Sequence, residues 1–154
     1  MDRTIAMTRF VALSAHLTGH EAARLLGTGM SEIFLGTMTA RVGSDNMEAM
    51  LVAYDSGVAG AEDPDRAMRL AIMGDARFGP MARNLIKMWY VGTWYQMPDD
   101  WRMSYAGALS DGDIIPDPAA YTEGLLWPTV GANPPGAKPF GYAMWARPPR
   151  VTLD

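Results

Sequence analysis

His16 and His20 are the first residues whose type and spacing suggest chemistry, and no other histidine occurs in the chain. Four positions apart on an unbroken helix, both rings would lie on one face, as zinc ligands do. Gly19 interrupts that helix, and the pattern lacks the glutamate between the two histidines that defines the H-E-x-x-H motif. We therefore interpret the histidines as polar residues that flank a turn between two helices.

An acidic stretch supplies the second candidate site. Asp111, Asp113 and Asp117 place carboxylates at spacings that a calcium-binding loop can use. The twelfth position of such a loop, counted from Asp111, is Thr122 and not the bidentate glutamate of an EF-hand. An acidic turn is the interpretation that we adopt.

Motifs for cofactor binding and covalent catalysis are incomplete. Gly27-Thr28-Gly29 lacks the preceding strand and the final glycine of a dinucleotide-binding fingerprint. No G-x-S-x-G motif occurs, and the absence of cysteine excludes disulfides, thiolate zinc sites, iron–sulfur clusters and covalently attached c-type haem within this chain alone. We predict no catalytic, cofactor-binding or metal-binding residue in this chain.

The composition describes an acidic chain of one domain. The 154 residues include 13 Lys and Arg against 17 Asp and Glu, which gives a formal charge of −4. That charge argues against nucleic-acid binding, because such binding depends on neutralising phosphates. A hydrophobic share of 49% excludes a disordered chain. We expect no transmembrane segment, since no apolar run reaches about eighteen residues, and the first seven residues show no secretory signal.

Helices are the elements expected to carry most of these residues. Thr8 can cap the first helix and Gly19 can end it, while Asp45-Asn46-Met47-Glu48 resembles a capping box. Asp63-Pro64 is a helix start, and Gly79-Pro80 opens or kinks another helix. We predict an all-α fold, with a small bundle of four to five short helices before about residue 95. The predicted apolar faces are Phe10, Leu13 and Leu17; Leu25, Leu26, Met30, Ile33 and Phe34; Met47, Met50, Leu51 and Tyr54; Ala67, Leu70 and Ala71; Met81, Leu85, Met88 and Trp89.

The C-terminal part has a different character. Residues 116–154 contain eight of the eleven prolines, a density that disfavours helix and sheet. We divide the chain, as one domain overall, into a helical body, residues 1–115, and a long irregular arm, residues 116–154. Because the arm is rich in aromatic residues, we expect it to lie on its own helices or to dock on a partner. The thirteen methionines fit either a methionine-rich core or an interface.

Large aromatic residues and one arginine are the predicted partner contacts, since such residues anchor interfaces. Their alternative role is ordinary packing in the core. For Trp89, which lies on an apolar helical stripe, core packing is at least as good an interpretation as a partner contact. The predicted contacts are Trp127, Phe140, Tyr142, Trp145 and Arg147, with Trp89, Tyr90 and Trp94 as a second group.

The order of several short motifs resembles a known family. Residues 10–14 read F-V-A-L-S and are followed by L-T-G at 17–19; M-W-Y-V-G lies at 88–92, Y-A-G-A-L at 105–109, and the aromatic and proline-rich arm comes last. This order, over residues 8–149, is similar to that of the small subunit of bacterial FAD-dependent sorbitol, fructose and glucose dehydrogenases. No twin-arginine leader precedes it, and the arm lacks the cysteine that some relatives have.

The resemblance implies a non-catalytic subunit. In that family a large subunit of the glucose–methanol–choline type holds FAD and oxidises a sugar or polyol, often passing electrons to a multihaem cytochrome c. The small subunit binds, stabilises and assists the maturation of that flavoprotein. FAD is thus expected in the partner and no cofactor in this chain. The resemblance implies a periplasmic or partner-mediated membrane location if a leader has been removed, and a cytoplasmic one otherwise.

Two alternative functions, from other classes of protein, remain open. A free-standing small helical ligand-binding protein or enzyme would use a methionine-lined pocket. A stress or scaffold protein would have no flavoprotein partner.

Overall fold

The computed structural model describes residues 2–106 and 111–136, and within them it confirms the predicted all-α class. One isolated antiparallel bridge, between Trp94 and Ile114, is the exception in these ranges. The helices are α1 (Arg3–Thr18), α2 (Ala22–Gly27), α3 (Ser31–Val42), α4 (Ser44–Gly57), α5 (Pro64–Met68), α6 (Phe78–Val91), α7 (Asp99–Trp101), α8 (Ala119–Thr122) and α9 (Leu126–Thr129). Helix α5 continues into a π-helical segment, Arg69–Met73, and α7 into another, Arg102–Ala106.

Some helices begin or end at the residues predicted from the sequence, and others do not. Gly19 ends α1 in the left-handed conformation, and the Asp63 carboxylate caps α5 by accepting the Arg66 N–H at 2.9 Å, as predicted. Helix α1, however, starts earlier than Thr8, because Asp2 accepts the N–H groups of the first turn.

The predicted capping box at 45–48 does not form. Helix α4 begins at Ser44, with Gly43 in the capping position, two residues before Asp45, which lies inside the first turn. The single helix expected after Gly19 is two helices, α2 and α3, which are separated around Gly29 at a φ of 72°. A left-handed residue cannot continue an α-helix, so the chain turns there.

The predicted apolar faces of α4 and α6 form the centre of the core. Helix α1 contacts α2, α3, α4 and α6, and α6 also contacts α3 and α8. Methionine supplies much of this core, which favours the core interpretation of the methionine content over the interface interpretation. The buried methionines are Met30, Met38, Met47, Met50, Met68, Met81, Met88 and Met97.

The predicted apolar face of Ala67, Leu70 and Ala71 is wrong at Leu70, whereas Ala67 and Ala71 are partly buried against the core. Leu70 is 68% exposed, whereas Met68 and Ile72 are buried. The π-helical segment that starts at Arg69 changes the angular spacing of successive side chains, so the expected phase is lost.

The first part of the predicted arm packs on the body. Ala120 and Leu125 are each 1% exposed and belong to the same core as α1–α6. The proline content does not exclude helix here, since α8 and α9 each form a single turn. Pro118 precedes α8 and Pro128 lies in the first turn of α9, where an intrahelical N–H bond is not required. Residues 137–154 lie outside the described ranges.

Candidate functional site

The C-terminal end of α6 is the place where the arm joins the body. Gly92, at a φ of +71°, ends the helix, and a Cβ atom there would lie 2.6 Å from the Ala120 carbonyl oxygen. A Cβ atom on Gly124 would lie 2.8 Å from the Tyr90 carbonyl oxygen. Leu125 donates its N–H to the Trp89 carbonyl at 2.9 Å. Two glycines therefore permit direct backbone contact between the arm and the helix end.

The same helix end contacts the turn after α1. The Tyr90 hydroxyl donates to the Thr18 carbonyl at 2.9 Å, and the His20 ring lies 6.1 Å from the Tyr90 ring. Thus L-T-G at 17–19, W-Y-V-G at 89–92 and the start of the arm, which are far apart in sequence, meet in one place. We call this contact region the junction.

The chain beyond the junction is held by carboxylate and amide side chains. The Asp111 carboxylate accepts the Trp94 indole N–H at 2.8 Å and the Met97 N–H at 2.6 Å. Asp113 accepts the Gln96 N–H at 2.8 Å. Asn84, which is buried in α6, accepts the Tyr95 N–H at 3.1 Å. The acidic turn predicted here thus ties two segments together, and no group of three potential metal ligands occurs in the described ranges.

The Trp94–Ile114 bridge gives this region two sides. Side chains alternate between the faces of an extended segment. Trp94 points into the core at 0% exposure, whereas its neighbour Tyr95 is exposed, as are Asp113 and Ile115 beside the bridge. We call these three residues, Tyr95, Asp113 and Ile115, the outer face.

Exposed large apolar side chains are concentrated in the second half of the described chain. Thirteen are exposed in the described ranges, and nine of these lie between residues 91 and 130. They are Val91, Tyr95, Met103, Tyr105, Ile114, Ile115, Tyr121, Leu126 and Val130. Single exposed apolar residues are ordinary on a protein surface, so the distinguishing feature of these nine is their concentration in one stretch of the sequence.

One groove lies between α2 and the arm, and another lies among α1, α5 and α6. The larger, of about 460 Å³, has Arg24, Thr28, Trp127 and Asn133 among its lining residues. The smaller, of about 190 Å³, has Met68 and Met73 in its wall and His16 and Asp65 at its polar side.

The histidines are separated by the turn at Gly19, and each has a different partner. His16 Nε2 lies 3.0 Å from an Asp65 carboxylate oxygen. Burial, followed by the Arg24 guanidinium, lowers the pKa of His20 below 6.5. Burial, followed by the Asp55 carboxylate, raises the pKa of Tyr54, whose hydroxyl donates to the Ala12 carbonyl at 3.2 Å.

The predicted partner contacts fall into three groups. Trp89 and Trp94 lie in the core at 1% and 0% exposure, which is the alternative role considered for them, so neither presents its ring to a partner in this arrangement. Tyr90 lies partly buried in the junction, and Trp127 is partly buried, with its indole N–H donating to the Tyr121 carbonyl at 2.7 Å. Phe140, Tyr142, Trp145 and Arg147 lie outside the described residues.

Sequence reasoning missed the outer face. Its residues lie in short irregular segments, where periodicity carries no information on burial. The alternation of Trp94 and Tyr95 was the available signal, but it required knowledge that residue 94 pairs with residue 114.

The chain matches no protein-family model, no curated protein and no solved structure. In the described ranges, no helix combines the length and apolarity needed to cross a membrane.

Proposed function

We propose that this chain is a non-catalytic small subunit that binds and stabilises an FAD-dependent sugar or alcohol dehydrogenase. The observation that carries the binding role is the concentration of nine exposed large apolar side chains between residues 91 and 130. Burying such groups against a partner would be favourable by about 25 cal/mol for each Å² of apolar surface. The identity of the partner rests on the resemblance of the ordered motifs.

The junction explains how a small chain can present such a surface. Backbone contact through Gly92 and Gly124, and the bonds to Asp111, attach residues 94–106 and 111–125 to a packed helical body. A surface that is ordered before binding loses less conformational entropy when the complex forms. The chain would stabilise the flavoprotein by mass action, because it binds the folded form of that protein.

Co-expression with a flavoprotein of this class tests the proposal. The large-subunit gene is taken from the same genome, the tag is placed on the present chain, and the visible spectrum of the purified sample is recorded. We expect flavin absorption at a stoichiometry near one per chain, which the chain expressed alone does not show. A colourless, monomeric chain after co-expression would contradict the proposal.

A matched pair of variants connects this test to the surface. Ile115→Ser removes an exposed apolar group of the outer face. Leu70→Ser, its control, removes an exposed apolar group after α5, and the two side chains are similarly exposed, at 61% and 68%. We expect Ile115→Ser to lower the yield of the flavin-containing complex and Leu70→Ser to leave it unchanged. Equal yields from both variants would remove the outer face from the interface.

The methionine-lined groove beside His16 supports a second candidate, a small-ligand binder. Its wall joins apolar methionines to a histidine–carboxylate pair, a combination found in ligand sites. A screen of small organic acids and alcohols for a rise in melting temperature tests it. A rise that Met68→Ala abolishes would favour this candidate over the subunit role.

A further inference from the structure

The groove of about 190 Å³ among α1, α5 and α6 brings together side chains that are soft or nitrogen ligands for metals. Met68 and Met73 lie in its wall, and His16 and Asp65 lie at its polar side. Met68 is buried and Met73 is partly buried, so neither side chain is simply turned out to solvent. Two thioethers, an imidazole ring and a carboxylate therefore line one small groove.

The π-helical segment explains why both methionines reach this groove. On a regular α-helix, residues five positions apart lie about 140° apart around the axis and face different directions. Here the Gly74 N–H donates to the Arg69 carbonyl at 2.8 Å, which is an i→i+5 bond. The wider turn brings Met68 and Met73, five positions apart, into the lining of the same groove. Such π-helical turns interrupt regular α-helical bonding and are frequent at functional sites.

Helix α6 holds the end of the π-helical segment. A Cβ atom on Gly79 would lie 2.6 Å from the Met73 carbonyl oxygen, so the two backbones are in direct contact. The same carbonyl accepts a bond from the Arg83 guanidinium at 3.3 Å. The backbone of Met73 is thus fixed before a ligand binds, while three rotatable bonds let its sulfur adjust to one.

His16 offers its Nε2 atom at the polar side of the groove. Nε2 lies 3.0 Å from an Asp65 carboxylate oxygen, and the Tyr54 ring packs edge-on against the imidazole with 6.0 Å between centroids. The side chain of His16 is 18% exposed, whereas that of Asp65 is 79% exposed. The imidazole is therefore held by its surroundings, and the carboxylate is free to turn into water and leave Nε2 open to another partner.

Thioether sulfur and imidazole nitrogen together favour copper in its reduced state. In residues 2–106 and 111–136, histidine and carboxylate side chains form no group of three metal ligands, but methionine adds soft ligands to the single imidazole of this groove. Soft thioethers select copper(I), and imidazole also suits copper, whereas zinc sites use thiolate, imidazole and carboxylate ligands. The imidazole and both thioethers are uncharged, and the opposite charges of Asp65 and Arg69 in the lining offset each other. Neutral surroundings of this kind suit a singly charged ion better than a divalent one.

We propose that copper(I) binds in this groove to His16 Nε2 and to the sulfur atoms of Met68 and Met73. The ion takes the place of the hydrogen bond to Asp65, whose carboxylate turns toward solvent. Copper binding rests on the second candidate function, in which this groove holds a ligand, and puts a metal ion in place of an organic molecule. It is independent of the subunit role, because no residue of 91–136 takes part.

Competition with the copper(I) chelator bicinchoninate tests the site on the full-length chain. Copper(I) is supplied under anaerobic conditions, and the fraction withdrawn from the coloured chelator complex gives the affinity. His16→Gln and Met68→Leu each remove one ligand and keep a similar side-chain volume. Their matched controls are His20→Gln, which changes the other histidine, and Met30→Leu, which changes a methionine as buried as Met68, at 6% against 5% exposure.

We expect one copper ion per chain and a loss of affinity of at least about tenfold for His16→Gln and for Met68→Leu, because even changes outside the ligand shell of a metal site have effects of that size. The two controls should bind copper like the wild-type chain. X-ray absorption at the copper edge should show both sulfur and nitrogen neighbours. Equal affinities for the ligand variants and their controls, or a copper ion without sulfur neighbours, would overturn the proposal.

A second methionine variant guards against a change in folding. Leucine is close to methionine in volume, so the melting temperature without copper should change little in Met68→Leu. If that variant does not fold, Met73→Leu, at a partly buried position, provides the same comparison.

Failure of copper binding and failure of the ligand-binding role give different results. If copper(I) does not bind but an organic compound raises the melting temperature through Met68, the copper proposal falls and the second candidate function stands. If neither binds, both fall. Co-purification with a flavoprotein is measured separately, and His16→Gln should leave its yield unchanged whether or not copper binds.

Discussion

Residues 2–90 and residues 91–136 bury apolar surface in different ways. In the first range, helices place apolar side chains on one face, and acidic and basic residues are nearly balanced at ten and nine. Among the described residues of the second range, helices are short, Trp94, Trp101 and Leu125 reach the shared core, and nine large apolar groups are exposed. The difference indicates that residues 2–90 supply most of the stability and residues 91–136 supply most of the exposed apolar surface.

Substitution of Trp89, which has the largest expected effect, tests whether residues 2–90 supply most of the stability. Its ring is 1% exposed and packs edge-on against Phe34, with 4.9 Å between ring centroids. Trp89→Ala should lower the free energy of unfolding by about 4 kcal/mol, since it leaves a large cavity. Denaturant unfolding measures this loss.

Trp127→Ala is the matched change in the second range. Because this ring is only partly buried, its removal should cost less than half as much as that of Trp89. Equal losses of unfolding free energy would show that Trp127 belongs to the core. They would contradict the proposed difference between the two ranges.

The junction between the arm and the end of α6 is tested by two glycines with nearly the same backbone conformation. Gly92 and Gly19 have φ values of +71° and +72°, but a Cβ atom meets the Ala120 carbonyl only at Gly92, and nothing lies within 4 Å of one at Gly19. Gly19→Ala should cost about 1 kcal/mol, the left-handed penalty alone. Gly92→Ala should cost about 3 kcal/mol, because steric overlap is added.

Thermal and denaturant unfolding of both glycine variants measure the difference. If the two losses were equal, the close approach of the arm backbone would have no energetic weight. The arm would then be attached by the Leu125–Trp89 backbone hydrogen bond and by side chains, and the glycine contact would lose its role in ordering the surface.

The carboxylate bonds beyond the junction should contribute less. Asp111→Ala removes the acceptor of the buried Trp94 indole N–H, and an unsatisfied buried donor costs about 2 kcal/mol. Asp113→Ala exposes only the Gln96 N–H, which water can satisfy, so its cost should stay below about 1 kcal/mol. Urea titration of both variants checks the order, and a larger loss for Asp113→Ala would contradict this account of the acidic turn.

The sequence predicts the buried residues better in residues 2–90 than in residues 91–136. Helical periodicity identified the buried faces of α4 and α6, because burial there repeats with the turn of the helix. It failed at Leu70, where a π-helical segment changes the repeat. Beyond residue 92, long-range pairs such as Trp94 with Asp111 and Gly92 with Ala120 determine which side chains are buried. Local patterns do not encode such pairs, so the outer face was visible only in the structure.

The smallest expected effect concerns His20, which lies beside Tyr90 at the junction. Burial and the nearby Arg24 lower its folded-state pKa below 6.5, so the unfolded chain binds the proton more tightly. The contribution of the neutral ring to stability is therefore present above about pH 6.5 and is lost as the pH falls through the lowered pKa. Melting temperatures at about pH 7.5 and about pH 5.5 should differ more for the wild-type chain than for His20→Gln, which cannot titrate. Equal differences would mean that protonation of His20 does not weaken the junction, which would then depend on the glycine contacts and the Tyr90 hydroxyl bond.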